Sequence, residues 1–220
     1  MTTRFKHERS TEVGGTTLQV KIRHSGHRTQ ITDKLGGELG KARELLQVTL
    51  AQLNGPKLGS ACKRFCARYF LTPATGPSPA DLDKIKNVLL LTANGLNADM
   101  TVKVGLNVGR NDKDVHGSVR QRGGAPTKPY HTEIIDLDDG ETWRTGAIRM
   151  DQTTLLTGGR LAVVTLIHEG THKFAGTNDY CYFKDDALTP NGVFTDKNEA
   201  LKNADSYAWF AYKMGNTYRT

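Results

Sequence analysis

Cysteine is scarce in this chain of 220 residues, and its scarcity excludes one class of protein. Only Cys62, Cys66 and Cys181 are present, and an odd number cannot all pair within the chain. So few cysteines cannot build the disulfide framework of a small extracellular domain. Cys62 and Cys66 lie one turn apart on a predicted helix, without a second cysteine pair. We therefore expect them to pack as small apolar side chains rather than to bind zinc.

Long apolar runs are missing as well. No window approaches roughly 18 consecutive apolar residues, so the sequence predicts no membrane-spanning segment and no membrane partner. Apolar residues make up 37% of the chain and the mean hydropathy is -0.51, values typical of a soluble protein. The N-terminus has no apolar stretch of the kind that a secretory signal peptide carries. We expect a cytoplasmic protein, one exported by a signal-independent route, or part of a larger secreted protein.

Acidic residues are fewer than basic ones, which gives a formal charge of +7 and a pI near 9.3. The basic residues are scattered along the chain and form no long run. Scattered basic residues can attract acidic partners, but a nucleic-acid-binding protein usually carries its basic residues in a continuous patch. Zinc-finger, RNP and basic-zipper patterns are absent too. The sequence therefore predicts no nucleic-acid partner.

Hydrophobic periodicity predicts helices at both ends of the chain and strands towards its middle. Helical spacing covers residues 37–53, 60–72, 79–93 and 160–173. Strand-like alternation covers residues 16–22, 100–108, 131–137 and 143–150. No repeat or low-complexity segment divides the chain, so we predict one α+β domain over residues 1–220. Residues 1–36 are expected to form a polar N-terminal extension with a short strand or hairpin.

Residues 163–182 contain the one pattern that carries chemistry, H-E-x-x-H, formed by His168, Glu169 and His172. Residues four apart share a helix face, so the two imidazoles can bind one ion. Glu169 lies about 100° round the helix from His168 and can reach a water on that ion without being a ligand. The apolar residues before His168 indicate a buried helix, where unpaired polar groups are costly. This burial argues against a surface helix with two solvated histidines.

Two imidazoles, one further protein ligand and a water make the open tetrahedral site of a catalytic zinc. We therefore expect one Zn²⁺ per chain. The residues alone leave two candidates for the third ligand: Asp179, just after the helix, and Glu199, on a following helix. Gly176 comes one place too late for the H-E-x-x-H-x-x-G-x-x-H pattern of other zinc peptidases.

Two further strings accompany the H-E-x-x-H pattern: residues 176–182 read G-T-x-D-x-x-Y, and residues 203–207 read N-A-D-x-Y. The three strings, in this order, resemble those of the aspzincin metallopeptidases, which include deuterolysin and the peptidyl-Lys metalloendopeptidases. The resemblance is good over residues 147–211 and loose before them. It implies an α+β zincin-like fold with N-terminal helices, a small mixed sheet, an active-site helix and a C-terminal helix.

The resemblance also implies roles for individual residues. Asp179 would be the third zinc ligand, and Tyr182 would assist the reaction by donating a hydrogen bond to the developing oxyanion. Asp205 would lie beside the site, as a support for the ligands or as part of the substrate pocket. Gly176 and Thr177 belong to the same turn and are expected near the substrate or behind the ligands.

The implied function is a zinc-dependent endopeptidase that cleaves protein or peptide substrates through a zinc-activated water, with Glu169 as general base. Secreted fungal relatives rely on disulfides, whereas a bacterial member delivered into another cell would need neither bridges nor a signal peptide. Any delivery or immunity protein is unknown. Lysine-selective relatives carry an acidic residue at the place of Ala208, so we expect no strict lysine preference here.

Two alternatives remain. One is a zincin whose third ligand is Glu199. The other is a non-catalytic, zinc-stabilised binding or toxin-delivery module. The presence of Glu169 and Tyr182 argues against this module, because a purely structural zinc site needs neither side chain.

Overall fold

A computed structural model describes residues 5–23, 26–106, 116–119, 146–183, 190–191 and 196–219. The strand predicted over residues 131–137 lies outside these residues, as do the first three residues of the strand predicted over 143–150. No helix in the described part of the chain is both long and apolar enough to cross a membrane.

One layer of the fold is a five-stranded mixed sheet. Its strands are β1 (His7–Val13), β2 (Thr16–Ile22), β3 (Met100–Gly105), β4 (Gly117–Val119) and β5 (Ile148–Asp151). In space they lie in the order β1-β2-β3-β5-β4. The central strands β2, β3 and β5 run parallel, whereas β1 and β4 pair antiparallel at the two edges. The short edge strand β4 borders the functional site described below.

Seven helices pack with this sheet in the described part of the chain. They are α1 (Arg28–Leu53), α2 (Ser60–Phe70), α3 (Pro79–Leu96), α4 (Gln152–Thr157), α5 (Arg160–Ala175), α6 (Lys197–Lys202) and α7 (Ala204–Tyr218). Between α5 and α6 lies a small hairpin of β6 (Tyr182–Phe183) and β7 (Pro190–Asn191). Helix α5 packs against α1, α3 and α7 and also touches β4 and β5, so it lies at the centre of the core. The predicted α+β class is confirmed.

The N-terminal residues correct one prediction. The expected hairpin is present, but it is not an extension: β2 pairs with both β1 and β3, and its residues Leu18, Val20 and Ile22 are completely buried. Helix α1 begins at Arg28 instead of residue 37. Its first turns continue the apolar stripe, and Ile31 and Leu35 are buried in the same core. Three polar residues separate these two positions, and they hide the periodicity although Thr32 is itself buried.

The start of α5 is fixed by a buried carboxylate on α1. Glu38 is 1% exposed, and its Oε1 accepts a hydrogen bond of 3.2 Å from the backbone N–H of Gly159, the residue that precedes α5. Lys34 and Lys41 lie 3.6 and 3.3 Å from the same carboxylate and balance its charge. One of the free N–H groups at the N-terminus of α5 is thereby satisfied.

Helices α3 and α5 approach each other closely at Gly95. A Cβ atom added there would lie 2.1 Å from Cγ of Phe174, a buried ring on α5. No real side-chain contact is so short, so the ring or the helix would have to move. The absence of a side chain at Gly95 therefore sets how near α5 lies to α3.

We expect Gly95→Ala to lower the free energy of unfolding by about 1–2 kcal/mol. Overpacking costs about 1–3 kcal/mol, and the better helix propensity of alanine offsets up to about 1 kcal/mol of it. Urea denaturation measures the change. Gly37→Ala in α1 is the matched control, because nothing lies within 4 Å of its Cβ position, and it should stabilise the protein. Equal stabilisation by both substitutions would contradict the packing argument.

Candidate metal centre

The H-E-x-x-H pattern lies on the buried middle of α5. His168, Glu169 and His172 are 8, 4 and 1% exposed. The alternative of a solvated surface helix is therefore excluded. Polar side chains at this depth need partners, because an unpaired buried polar group costs stability.

A left-handed turn brings the third candidate ligand back to the helix. Gly176 follows α5 with φ 71°, a conformation that side chains disfavour, and it ends the helix there. The chain then reverses, and Oδ1 of Asp179 lies 3.0 Å from Nε2 of His168 and 3.0 Å from Nε2 of His172. The two Nε2 atoms are themselves 3.0 Å apart. Three potential ligand atoms thus form a nearly equilateral triangle.

Hydrogen bonds to the other ring nitrogens orient both imidazoles. Nδ1 of His168 lies 3.2 Å from Oδ1 of Asp205, and Nδ1 of His172 lies 2.6 Å from the backbone oxygen of Thr177. Both partners can only accept, so each Nδ1 carries a proton and each ring turns its Nε2 towards the triangle. Supports of this kind are typical of metal-binding histidines. Asp205 and Thr177 therefore lie behind the candidate ligands.

The charges around the triangle favour a cation. Burial alone would lower the pKa of His168, but hydrogen bonds to Asp179 and Asp205 outweigh it and hold this pKa well above its usual value. Burial would likewise raise the pKa of Asp179, yet hydrogen bonds from both imidazoles hold it well below its usual range. Lone pairs as close as these repel one another unless a proton or a metal ion lies among them.

The donor set fits zinc. Imidazole nitrogens and a carboxylate oxygen bind zinc at about 2.0–2.2 Å, which separates the corners of a tetrahedral site by about 3.3 Å. The observed spacing of 3.0 Å is close to this value. In the described part of the chain, His168, His172 and Asp179 are the group of side chains that can hold a metal ion. Glu199, on α6, is not a member of this group.

Tyr182 covers one side of the candidate centre. Its ring stacks on the imidazole of His168, with centroids 5.9 Å apart and planes 15° from parallel. The side chain is 48% exposed, so it also faces solvent and any bound substrate. Burial raises the pKa of Tyr182, and the charge of Asp179 and a hydrogen bond to it raise this pKa further. The phenol therefore keeps its proton at neutral pH and can donate it in a hydrogen bond.

Two residues that the sequence did not reveal complete the surroundings. Gly117 of β4 lies against α5: a Cβ atom there would be 2.6 Å from Cγ2 of Thr165, 2.9 Å from Cγ of Glu169 and 3.0 Å from its Oε1. Asn203 holds the loop of Asp179, because its Oδ1 accepts hydrogen bonds from the backbone N–H groups of Tyr180 and Cys181. No sequence signal marks Gly117, because its contact with Glu169 depends on the order of strands in the sheet. Asn203 lies inside the N-A-D-x-Y string, but its position in that string does not reveal which residues its side chain binds.

A comparison with protein families addresses this same part of the chain. Residues 149–212, from β5 into α7, match the aspzincin family model, described as lysine-specific metallo-endopeptidase. Over these residues the chain is similar to the aspzincin metallopeptidases. The family resemblance of the three strings is confirmed, and aspzincins are hydrolases that act on peptide bonds. A comparison with curated proteins gives no match.

The aspzincin match includes all three residues of the triangle as well as Glu169, Tyr182 and Asp205. It leaves out α1, α3 and β4, which hold α5 in place from outside the matched segment. Metallopeptidases of this family require a metal, and in the described part of the chain the cluster on α5 and its following loop is the group that can hold one.

We expect Gly117→Ala to lower kcat about 10- to 100-fold in steady-state proteolysis. The added methyl group would displace the Glu169 side chain, and a shift of about 1 Å in a reacting group can cost that much. The zinc content should not change, because the triangle does not touch Gly117. Ser118→Ala is the control, since neighbouring residues on a strand face opposite sides of the sheet. Wild-type kcat in Gly117→Ala would refute this role.

Proposed function

We propose that the protein is a zinc-dependent endopeptidase in which His168, His172 and Asp179 hold the metal and Glu169 is the general base. The triangle of ligand atoms, 3.0 Å on each side, carries this proposal. Glu169 supports it further, because this carboxylate lies on the same helix between the two imidazoles and is 4% exposed. A metal site with a purely structural role would need no such neighbour.

Each polar side chain then has a task in peptide hydrolysis. Bound zinc supplies a Lewis acid that polarises the scissile carbonyl and makes water more acidic. Glu169 takes a proton from the attacking water and later passes it to the leaving amine. Tyr182 donates its hydroxyl hydrogen to the oxygen on which negative charge develops. Asp205, through Nδ1 of His168, keeps that imidazole in the tautomer that binds metal.

The edge strand β4 offers a place for the substrate backbone. It pairs with β5 on one side, and among the described strands nothing pairs with its other side. Its residue Gly117 lies beside Glu169, so this edge runs past the proposed general base. An extended peptide can add to such an edge through main-chain hydrogen bonds, which depend little on the peptide sequence. We infer that protein or peptide substrates bind in this way.

The surroundings of Asp205 argue against strict lysine selectivity. Its Oδ1 is 3.2 Å from Nδ1 of His168, and its Oδ2 accepts a hydrogen bond of 2.5 Å from the backbone N–H of Phe183. Both oxygens thus already have internal partners. Ala208, one turn further on α7, is completely buried and carries no charge. A lysine ammonium would find one carboxylate fewer than in the lysine-selective relatives.

Substitution of Glu169 by alanine tests the function. We expect Glu169→Ala to reduce kcat for peptide cleavage by about 100-fold or more, because general-base catalysis contributes about 10²–10⁴-fold. The variant should bind one equivalent of zinc as the wild type does, since Glu169 is not a ligand. Metal analysis and cleavage of a peptide library measure the two quantities.

Asp179→Ala and Glu199→Ala identify the third ligand in the same assays. Loss of zinc in Asp179→Ala alone would support the proposed site, whereas loss in Glu199→Ala alone would establish the alternative zincin. Zinc binding by a wild-type protein without any proteolysis would favour the non-catalytic module.

Cleavage sites in a denatured protein substrate should include many bonds that do not precede lysine. The reason is the missing carboxylate at Ala208, since loss of one partner of a desolvated ion pair typically costs a few kcal/mol. Mass spectrometry of the products identifies the sites. Wild-type cuts confined to bonds before lysine would refute the prediction.

A further inference from the structure

Asn203 links the start of α7 to the loop that carries Asp179. Its side chain is completely buried and makes four hydrogen bonds. Oδ1 accepts from the backbone N–H groups of Tyr180, at 2.9 Å, and Cys181, at 3.1 Å. Nδ2 donates to the backbone oxygen of Cys181 and to Oγ of Ser206, both at 3.0 Å. These bonds use the full capacity of an amide side chain.

Helix capping does not account for these contacts. Asn203 occupies the N-cap of α7, a position where asparagine usually accepts a hydrogen bond from its own helix. Here its side chain makes no such cap bond. The carbonyl oxygen faces instead the loop more than twenty residues earlier in the chain, at Tyr180 and Cys181. The conformation of Asn203 therefore supports the loop at the expense of the helix terminus.

The residues bound by Asn203 lie directly between the two functional side chains of the loop. Tyr180 and Cys181 separate Asp179, in the triangle, from Tyr182, stacked on His168. The loop is also fixed on the other side of Asp179. There the N–H of Asn178 donates to the backbone oxygen of Lys202, and the backbone oxygen of Asn178 accepts from the N–H of Ala204, both at 2.8 Å.

We propose that Asn203 is a positioning residue that preforms the metal loop. By fixing the backbone at Tyr180 and Cys181, it holds the carboxylate of Asp179 and the ring of Tyr182 in place before a metal binds. The consequence for metal affinity and catalysis rests on the proposed function. The order of the loop in the metal-free protein does not, and it can be tested separately.

Two substitutions separate positioning of the loop from capping of the helix. Serine caps helices about as well as asparagine, but its side chain is too short to reach the loop. Aspartate caps equally well and keeps an oxygen that can accept from Tyr180 and Cys181. We therefore compare Asn203→Ser with Asn203→Asp. The control is Ser206→Ala, which removes the partner of Nδ2 that lies outside the loop.

The first readout is amide hydrogen exchange at Tyr180 and Cys181 in the metal-free protein. We expect slow exchange in the wild type, Asn203→Asp and Ser206→Ala, and fast exchange in Asn203→Ser. The second readout is zinc affinity, measured by competition with a chromophoric chelator. Asn203→Ser should bind zinc about 10- to 100-fold more weakly, the usual effect of losing a support behind a ligand. Its kcat should fall while KM changes little, because the loop positions reacting groups.

Unchanged exchange and zinc affinity in Asn203→Ser would overturn the proposal, because the loop would then be ordered without the amide of Asn203. If that variant does not fold, Asn203→Asp decides: protected amides support the proposal, and free exchange opposes it. Failure of the wild type to bind zinc would refute the proposed function, whereas the exchange data would still decide on Asn203.

Discussion

The mutual repulsion of three lone pairs is the constraint on which this site depends. Two imidazole nitrogens and a carboxylate oxygen lie 3.0 Å from one another; both imidazoles are buried, whereas Asp179 is exposed to solvent. Such an arrangement is unfavourable without a positive charge among the three atoms. The fold maintains this geometry by holding both imidazoles from behind: His168 by Asp205, and His172 by the backbone of Thr177.

These supports converge on the first residues of α7. Asn203 binds the backbone beside Asp179, and Asp205 binds both His168 and the backbone of Phe183. One helix terminus thus connects the ligands on α5 with the loop that follows them. Buried polar networks stabilise a structure only when every member is satisfied, so errors in this region are costly.

The sequence predicted the parts of this site that depend on local geometry. The spacing of His168 and His172 places both on one helix face, and the apolar residues before them predicted burial. The strings after α5 identified Asp179 through a family resemblance, not through spacing alone. Gly117 could not be predicted, because it meets Glu169 only after β4 has paired with β5. The start of α1 was misplaced, because its first residues carry no capping signal: His27 is left-handed and makes no side-chain cap.

The extent of the aspzincin match also reflects the difference between hydrogen-bonded site residues and residues that only fill the core. Residues 149–212 contain the proposed metal ligands and their hydrogen-bonded supports, whose polar side chains must match the number and direction of the donors and acceptors around them. Helices α1 and α3 contribute mainly apolar volume to the core around α5, and many combinations of side chains can fill such a volume. A family model built on residue identity therefore detects the hydrogen-bonded segment more readily than the scaffold. Gly95 and Gly117 are exceptions within this scaffold, because at both positions the space for a side chain is already occupied by α5.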